Sequence, residues 1–438
     1  MLKVKEIARA AGGWVSPETS SGSIKNVVID SRLSGNETLF FALKGEKTDG
    51  HLYADEVIEN GGYAVVSRGL KRDGIILVDS VEQALLDAAK WRRLQLDSRV
   101  IAITGSSGKT TTRQLLTAAL RTSHNVFSTS GNLNNQLGLP MTVLNIPDPP
   151  PSIIILEMGM NHAGELTLLG SIALPTDCLI TNVGLAHMEF FPSREGIAKA
   201  KAEVIQTTEP GGTCVIPVGE PILKRAALDR NLSIRYFGEN GNAWFKQNVD
   251  GSYRLYPWDI TLNLQLAGDH NASNAVSAVL MAEVFDVTPQ AATGAMENVS
   301  PDAGRGRVVE AGDVTILDES YNANPDSTRA CLNVLGSMTG DRAAVLGDMR
   351  ELGERAQEFH RQVLETADSL GLKFLIITGD LYNSVKNTVI HTEVLFAEDW
   401  LEALSILRET VTPGCTVLVK GSNSVRLSEL VRLMEEGS

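Results

Sequence analysis

The central part of the chain alternates short apolar runs with stretches in which apolar residues have helical spacing. The runs predict strands at residues 100–103, 152–157, 178–182 and 213–217, and the helical spacing predicts helices at residues 114–120, 164–173 and 194–208. Strands that alternate with helices are typical of a mostly parallel sheet with helices on both faces. Ligands bind such sheets at the carboxyl ends of the strands, so functional residues are expected at that edge.

The same alternation recurs in the last third of the chain. It predicts strands at residues 313–318, 343–347, 374–378, 393–397 and 415–420, and helices at residues 327–336, 356–370, 399–410 and 425–435. Shorter strands near the start, at 25–30 and 38–43, with helices at 53–60 and 81–96, indicate a small α/β module. The predicted fold class is α/β with three domains: residues 1–98, a central parallel-sheet domain at 99–309, and a Rossmann-like domain at 310–438.

Length, charge and cysteine content narrow the classes of protein that fit this pattern. A chain of 438 residues is long enough for about three domains of ordinary size. The formal net charge of −14 disfavours a nucleic-acid or anionic-membrane binder, because both require a positive surface field. No apolar run approaches the roughly 20 residues of a membrane span. The first residues resemble an amphipathic helix rather than a signal peptide. The four cysteines are far apart in sequence, which favours buried free thiols over disulfides. We therefore expect a cytoplasmic protein.

One short segment of the central domain is a candidate phosphate-binding loop. Residues 101–112 read Ile-Ala-Ile-Thr-Gly-Ser-Ser-Gly-Lys-Thr-Thr-Thr, an apolar strand followed by a glycine-bracketed turn and a helix. In such a loop the backbone of Gly105, Ser106, Ser107 and Gly108 cradles phosphates, Lys109 supplies a cation, and Thr110 or Thr111 supplies a hydroxyl for Mg²⁺. Ile103 stands where the standard motif has its first glycine. A chance surface turn is the alternative, but the flanking strand and helix favour ATP binding.

Three further residues are candidate metal ligands or catalytic groups. Glu157 and His187 each follow an apolar run, and Lys201 lies on a predicted helix. Taken singly, each has an ordinary structural explanation: a capping carboxylate, a packed histidine and a solvated lysine. Taken together with Thr110, they indicate Mg²⁺ held by hard ligands beside the phosphates.

The order and spacing of these residues resemble the Mur ligases, the ATP-dependent amide-forming enzymes of bacterial cell-wall synthesis. The resemblance implies that Lys109, Glu157, His187 and Lys201 are catalytic, that Glu157 and His187 serve magnesium sites, and that Lys201 is carbamylated. It also implies an ATP-binding role for Asn271 and Asn274 in the stretch 268–274, which resembles the family's adenine-binding segment. The same role is implied for Arg305, in preference to Arg307, in the stretch 304–307, and for Asp318.

A third stretch, Asp-Glu-Ser-Tyr-Asn-Ala-Asn-Pro-Asp-Ser at 318–327, resembles the members of the family that join D-alanyl-D-alanine to UDP-N-acetylmuramoyl-tripeptide. Residues 346–353, followed by His360, and residues 131–140 match the same members, as does the front domain. The substrate-binding residues implied by this resemblance are Ser31, Arg32, Lys44, Asp49, His51, Asn134, Asn135, Gln136, Tyr321, Asn322, Asn324 and Asp348. One departure is Gly421-Ser-Asn423, where the family often has Gly-Ser-Arg, so an arginine role is absent there or passes to Arg426.

The resemblance implies an acyl-phosphate mechanism that uses ATP and Mg²⁺. It assigns the UDP-sugar peptide to residues 1–98, ATP to residues 99–309 and the dipeptide to residues 310–438, and we expect a monomer. Two alternatives stay open: a Mur-type or folylpolyglutamate-type ligase that adds a single amino acid, and a regulatory ATP-binding module that makes no covalent product.

Overall fold

The computed structural model describes residues 2–437. The first sheet has five strands in the order β2-β7-β6-β5-β4, in which only the β2–β7 pair is antiparallel, and β1 pairs separately with β3. The strands of this region are β1 (Leu2–Lys3), β2 (Trp14–Val15), β3 (Ser23–Ile24), β4 (Asn26–Val28), β5 (Thr38–Phe41), β6 (Tyr63–Val66) and β7 (Ile75–Leu77). The helices are α1 (Val4–Ala10), α2 (Pro17–Ser20), α3 (Ala54–Glu59) and α4 (Val81–Leu94).

The central region contains a six-stranded, wholly parallel sheet in the order β13-β12-β11-β8-β10-β9. A separate antiparallel sheet follows, with the order β14-β15-β16. The strands are β8 (Arg99–Thr104), β9 (Val126–Ser128), β10 (Ile153–Glu157), β11 (Asp177–Ile180), β12 (Thr213–Pro217), β13 (Ser233–Phe237), β14 (Trp244–Gln247), β15 (Tyr253–Tyr256) and β16 (Ile260–Leu262). The helices are α5 (Lys109–Leu120), α6 (Gly138–Leu144), α7 (Glu165–Ala173), α8 (Arg194–Thr207), α9 (Pro221–Asp229), α10 (Asp269–Glu283) and α11 (Pro289–Met296).

The last region has a six-stranded sheet in the order β17-β18-β22-β19-β20-β21, parallel except for the β17–β18 pair at one edge. The strands are β17 (Arg307–Ala311), β18 (Val314–Glu319), β19 (Arg342–Gly347), β20 (Phe374–Thr378), β21 (Glu393–Ala397) and β22 (Thr416–Lys420). The helices are α12 (Pro325–Ser337), α13 (Ala356–Ser369), α14 (Asp380–Val385), α15 (Trp400–Thr410) and α16 (Leu427–Glu436).

The predicted α/β fold class with mainly parallel sheets is confirmed, and the physical reason is visible in the central sheet. Every residue of β8 after Arg99 is buried, because helices cover both faces of the sheet. The antiparallel sheet β14–β16 was not predicted, since its short strands mix charged and aromatic residues and lack a long apolar run. The predicted strand at 178–182 ends at Ile180, so Thr181 and Asn182 turn away from the sheet toward the candidate phosphate loop.

Contacts between regions position the site. Helix α4 is anchored to the central region, where Arg92 donates to the carbonyl of Ile146 (3.0 Å) and Arg93 Nε donates to the carbonyl of Ala173 (2.7 Å). Leu185 and Met188, in the loop after β11, pack against the apolar core of the last region. No helix within residues 2–437 has both the length and the apolar character that crossing a bilayer requires.

Candidate active site

The loop between β8 and α5 depends on two glycines. Gly108 has a φ of 74°, in the left-handed region, and a Cβ there would lie 2.5 Å from Oδ1 of Asn274. A Cβ on Gly105 would lie 1.8 Å from Oγ1 of Thr181. Any larger residue at either position would therefore push the loop away from its neighbours. Helix α5 begins directly after this turn, so its N-terminal N–H groups point toward the adjoining cleft.

A cleft of about 860 Å³ lies between this loop and the last region of the chain. Its lining comes from both sides: the phosphate loop with Glu157 and His187 on one side, and the segment after β18 on the other. Lys109 lines the cleft, and its Nζ donates to the carbonyl of Gly105 (2.9 Å). Burial lowers the pKa of the Lys109 ammonium, while the carboxylate of Glu157 opposes that shift.

Glu157, the last residue of β10, is almost completely buried at 1% exposure and is held on both carboxylate oxygens. Thr110 Oγ1 donates to Oε2 (2.9 Å), Asn134 Nδ2 donates to Oε1 (2.8 Å), and Arg113 Nε lies 3.3 Å from Oε2. The structure thus joins Thr110, Asn134 and Glu157, which are far apart in sequence. A buried carboxylate beside a hydroxyl and a phosphate loop is the oxygen-rich donor set that Mg²⁺ prefers.

Lys201 on α8 is a buried lysine with no negatively charged neighbour, in the described part of the chain, that would stabilise its ammonium form. It is 1% exposed, and no side chain or carbonyl among residues 2–437 accepts a hydrogen bond from its Nζ. Burial lowers its pKa well below the ordinary value, and the nearby Lys109 cation acts in the same direction. The side chain is therefore stabilised as the neutral amine, which is the nucleophilic form of lysine.

His187 lies in the loop after β11 and has a φ of 59°, a left-handed conformation that residues other than glycine seldom adopt. Its Nδ1 is 2.5 Å from Oε2 of Glu351, a residue of the last region. That hydrogen bond lowers the pKa of the Glu351 carboxyl. The sequence interpretation did not include Glu351, although it lies in the 346–353 stretch that carried part of the resemblance.

Asn182 is a second residue that the sequence interpretation missed. Its Oδ1 accepts from the backbone N–H groups of Ser106 (3.0 Å) and Ser107 (3.1 Å), and its Nδ2 donates to Ser107 Oγ (2.8 Å). One amide side chain thereby holds the turn of the phosphate loop. The available signal was its position immediately after a buried strand, next to the strand that carries the loop.

Asn271 and Asn274 lie in the first turns of α10, and both are buried. Asn274 lies against Gly108, and the two amides form a hydrogen bond of 3.4 Å. Both line the cleft beside His270, whose pKa is lowered by burial. The structure therefore brings this stretch, which was predicted to bind ATP, to the phosphate loop.

Arg305 and Asp318 line two different cavities near the junction of the central and last regions. The guanidinium of Arg305 stacks over the ring of Tyr321 at 3.6 Å and lines the cleft. Asp318 accepts from the Gly304 N–H (2.7 Å) and from Ser320 Oγ (2.6 Å), and lines a smaller cavity of about 310 Å³. Arg307 lines that smaller cavity as well and pairs with Glu435 (2.9 Å), so Arg305 is the arginine of the main cleft.

The stretch after β18 brings Tyr321, Asn322 and Asn324 to the main cleft. Asn324 also caps α12, because its Oδ1 accepts from the N–H of Ser327 (2.9 Å). The buried Lys420 donates to the carbonyl of Asn322 (3.0 Å) and lies 3.6 Å from a Glu319 carboxylate oxygen. Asn423 lines the cleft too.

Several predicted substrate residues lie outside the lining of this cleft. Asp348 accepts from the N–H groups of Leu381 (3.2 Å) and Tyr382 (3.0 Å), which anchors the start of α14. Asn135 accepts from the Gly138 N–H (2.9 Å) in a turn, and Gln136 is exposed. Arg426 lies 5.7 Å from the ring of Trp400 rather than in the cleft.

The front-domain candidates contact polar residues within the first region. Asp49 accepts from His51 Nδ1 (2.7 Å), and His51 Nε2 accepts from the Ser67 N–H (3.0 Å). Lys44 is exposed and forms an isolated bridge with Asp49. Ser31 and Arg32 occupy a short turn in which Arg32 Nη2 pairs with Asp30 (2.6 Å).

His270, Glu319 and Cys331 offer ligand atoms within 4.8 Å of one another, but their chemistry does not favour a metal centre. Glu319 is paired with Lys420, and burial raises the pKa of the Cys331 thiol. The thiol is therefore protonated and the carboxylate already has a cation. All four cysteines are free and buried, as expected.

Comparison with known proteins agrees with the geometry. Family models match at residues 103–282 (Mur ligase middle domain) and 304–423 (Mur ligase, glutamate ligase domain). The UDP-N-acetylmuramoyl-tripeptide--D-alanyl-D-alanine ligase of Bacillus subtilis (strain 168) is 33% identical, with 98% of this chain and 97% of the relative covered.

Two solved structures are similar over nearly the whole chain. Crystal structure I of MurF from Acinetobacter baumannii has a TM-score of 0.89 at 29% identity, covering 99% of this chain and 98% of that one. MurF ligase from Thermotoga maritima in complex with ADP has a TM-score of 0.84 at 28% identity, covering 94% and 97%. These similarities confirm the predicted resemblance: the chain belongs to the Mur ligase family.

Proposed function

We propose that this protein joins D-alanyl-D-alanine to UDP-N-acetylmuramoyl-tripeptide with hydrolysis of ATP to ADP and phosphate, a step of peptidoglycan precursor synthesis. The observation that carries the proposal is the shared cleft. Its central side holds Lys109 and Glu157 with the phosphate loop, and its opposite side holds the Tyr-Asn-Ala-Asn stretch from 321 to 324. Relatives that bear this activity in their names match the chain over almost its full length.

The first step activates the acid. An oxygen of the tripeptide's terminal carboxylate attacks the γ-phosphorus of ATP, the bond from that phosphorus to the β,γ-bridging oxygen breaks, and ADP leaves. The backbone N–H groups at the start of α5 and the cation of Lys109 stabilise the charge on the transferring phosphoryl group. The product is an acyl phosphate. Phosphate is its leaving group in the next step, whereas the free carboxylate would have to expel oxide.

The second step forms the amide. The neutral amine of D-alanyl-D-alanine attacks the acyl carbon, the carbon–oxygen bond to phosphate breaks, and the amine loses one proton. Asn322 and Asn324 offer amide donors and acceptors for a zwitterionic dipeptide. Most of the acceleration comes from holding three substrates in reacting order and from excluding water, which would hydrolyse the acyl phosphate.

The cleft offers donors that fit Mg²⁺: the buried carboxylate of Glu157 beside the Thr110 hydroxyl, and a histidine, His187, whose Nε2 has no partner within residues 2–437. Thr110, Glu157 and His187 would hold the ion with the phosphates. When bound, Mg²⁺ neutralises phosphate charge and orients the γ-phosphoryl group.

Lys201 is proposed to react with carbon dioxide and become a carbamate. The neutral amine attacks the carbon of CO₂, a nitrogen–carbon bond forms, and a proton leaves to give an anion. Its burial without a partner and its lowered pKa support this modification. The anion would offset the charge of Lys109 and supply an oxygen ligand.

Substrates are proposed to divide among the regions of the chain: the UDP-sugar peptide on residues 1–98, ATP on 99–309 and the dipeptide on 310–438. Ser31, Arg32, Lys44, Asp49 and His51 would then contact the uridine end, with Asn134, Asn135 and Gln136 nearer the peptide. We also propose a cytoplasmic monomer, since the main cleft is completed by one chain. Sedimentation velocity at micromolar concentration tests the monomer.

Phosphate release tests the reaction and its specificity together. The purified chain is incubated with ATP and Mg²⁺ across a matrix of UDP-N-acetylmuramoyl peptides and acceptors, including D-alanyl-D-alanine, single amino acids and glutamate with folate. Release that requires both the tripeptide carrier and the D-dipeptide is expected. Release with a single amino acid instead would indicate another ligase of the superfamily, and binding of ATP without release would indicate a regulatory module.

A further inference from the structure

Residues 184–189 form a segment, here called the bridge, that connects the phosphate loop with the last region of the chain. Its first residue contacts the phosphate loop: the Gly184 N–H donates to Ser106 Oγ (2.9 Å), and that hydroxyl donates to the Gly184 carbonyl (3.1 Å). The bridge is thus fastened at one end to the loop that is proposed to hold ATP.

Further contacts of the bridge are with the last region, and Met188 also packs against the apolar core of the first and central regions. The Leu185 N–H donates to Oδ2 of Asp326 (2.8 Å), and the Glu189 N–H donates to the carbonyl of Glu351 (3.0 Å). Leu185 and Met188 pack against the apolar core of that region. Undocking of the last region would therefore break these hydrogen bonds and apolar contacts.

His187 lies at the middle of the bridge, and its partner comes from across the cleft. Its Nδ1 is 2.5 Å from Oε2 of Glu351, and no residue of the described chain bonds to its Nε2. A carboxylate can only accept, so Nδ1 donates in this hydrogen bond, which leaves Nε2 as the ring nitrogen that a metal ion could bind. A carboxylate that orients a metal-binding histidine in this way increases metal affinity.

We propose that Glu351 is a positioning residue that orients His187 for Mg²⁺ only when the last region is docked, so that metal binding and domain docking favour each other. This inference rests on the proposed function, because it takes His187 as a magnesium ligand. The coupling is reciprocal by thermodynamic necessity: if docking strengthens metal binding, the metal strengthens docking by the same factor. The acceptor region would then help to complete the site that activates ATP.

The experiment measures Mn²⁺ binding to the ADP complex of the full chain by electron paramagnetic resonance, with ADP alone titrated in parallel to subtract metal held in solution. Glu351→Met keeps the length of the side chain but removes the acceptor, and Glu351→Gln keeps an acceptor oxygen. Glu354→Met is the matched control, because Glu354 is exposed in the same loop and its side chain makes no hydrogen bond with any residue of the described chain, 2–437. His187→Ala and the His187→Ala/Glu351→Met double variant complete a thermodynamic cycle.

We expect Glu351→Met to weaken Mn²⁺ binding by about 10-fold or more, with metal-free ADP binding and thermal unfolding as in the Glu354→Met control. Glu351→Gln should keep most of the affinity, and the double variant should lose no more than His187→Ala alone. Glu351→Ala takes the place of the methionine variant if the latter does not fold.

Two results would overturn the inference while leaving the proposed function intact: wild-type affinity in Glu351→Met, or losses from the two single variants that add in the double variant. A wild-type protein that binds no Mn²⁺ with ADP would overturn the proposed function, and this inference with it.

Discussion

Burial lowers the pKa of the ammonium groups of both Lys109 and Lys201, and the cation of Lys109 lowers the pKa of Lys201 further. Their exposures and partners differ. Lys109 faces the cleft and donates to the carbonyl of Gly105, whereas Lys201 is buried and unpaired among residues 2–437. These environments suit different tasks: a cation for phosphate, and an amine available for modification.

Replacing Lys109 by alanine should abolish turnover while leaving the fold intact. The variant loses the cation that meets the transferring phosphoryl group, so phosphate release should fall by at least about 100-fold. Lys199→Ala is the control, because Lys199 is an exposed lysine paired with Glu195 on the outer face of α8. Thermal unfolding by circular dichroism should give similar midpoints for both variants. Unaltered activity in Lys109→Ala would refute the assignment.

Replacing Lys201 by alanine should remove activity that a small carboxylate partly restores. Formate added to Lys201→Ala would fill the space of the lost side chain with an anion, as the carbamate does in the proposed enzyme. Phosphate release is measured against formate concentration, with Lys109→Ala as a variant that formate should not restore. Full activity without formate would show that Lys201 has no catalytic role, and failure of rescue would count against carbamate chemistry.

Gly105→Ala should damage the phosphate loop through a steric clash. The new Cβ would meet Thr181 Oγ1, which is held in place by its hydrogen bond to the Ser107 carbonyl (2.6 Å). Overpacking of this kind costs about 1–3 kcal/mol of unfolding free energy, and ADP binding should weaken as well. Gly294→Ala is the control, because a Cβ there meets nothing within 4 Å. Urea unfolding and ADP titration calorimetry measure both effects.

At the scale of elements, helix α12 begins with a capping box that also lies in the cleft. Asn324 Oδ1 accepts from the Ser327 N–H, and Ser327 Oγ accepts from the Asn324 N–H (3.2 Å). The Asn324 side chain therefore stabilises the start of α12 and also faces the cleft in which the D-alanyl-D-alanine substrate is proposed to bind. This dual position explains how a local capping signal and a proposed substrate contact coincide in one residue.

Asn324→Ala should lose stability and substrate affinity together. Removal of the cap costs about 1 kcal/mol of unfolding free energy, and the KM for D-alanyl-D-alanine should rise. Thr288→Ala is the matched control, because Thr288 caps α11 by accepting from the Ala291 N–H (3.3 Å) and does not line the cleft. The Thr288→Ala variant should lose about as much unfolding free energy as Asn324→Ala, while its KM for D-alanyl-D-alanine stays unchanged. An equal change of KM in both variants would show that the effect on Asn324 is only structural.

At the scale of the whole molecule, the site is divided between two regions, and neither holds all of its residues. Polar contacts across the division are few and specific, such as the hydrogen bond from Leu185 to Asp326 and the pair of His187 with Glu351. Ligands that touch both sides add to these contacts. They should therefore shift the population toward the docked arrangement.

Small-angle X-ray scattering tests this expectation. The radius of gyration should fall when ADP, Mg²⁺ and D-alanyl-D-alanine are added together, and the change should exceed that with nucleotide alone. Asp326→Asn, which weakens acceptance from the Leu185 N–H, should need more ligand to reach the same dimensions. Identical dimensions with and without ligands would contradict ligand-driven closure.

Many helices and strands of the fold could be predicted from the amino-acid sequence, because a long apolar run is compatible with few structures other than a buried strand or helix. The buried strands β8, β10 and β12 and the helix α8 were predicted to within a residue or two, since a run such as Ile153 to Leu156 has to be covered on both faces. The phosphate loop could also be predicted, because its strand, tight turn and helix are consecutive in sequence. The spacing of its glycines therefore indicates its geometry without knowledge of distant contacts.

Only the tertiary structure decided which distant residues meet. Asn182 holds the phosphate loop, and Glu351 orients His187 from another region, although no local pattern marks an amide or a carboxylate as the partner of a residue elsewhere in the chain. For the same reason the sequence did not show that Asp348 accepts a hydrogen bond at the start of α14 and does not line the cleft. Periodicity reports burial against neighbours along one element, whereas the site is made by the order in which parallel strands lie side by side and by the docking of one region against another.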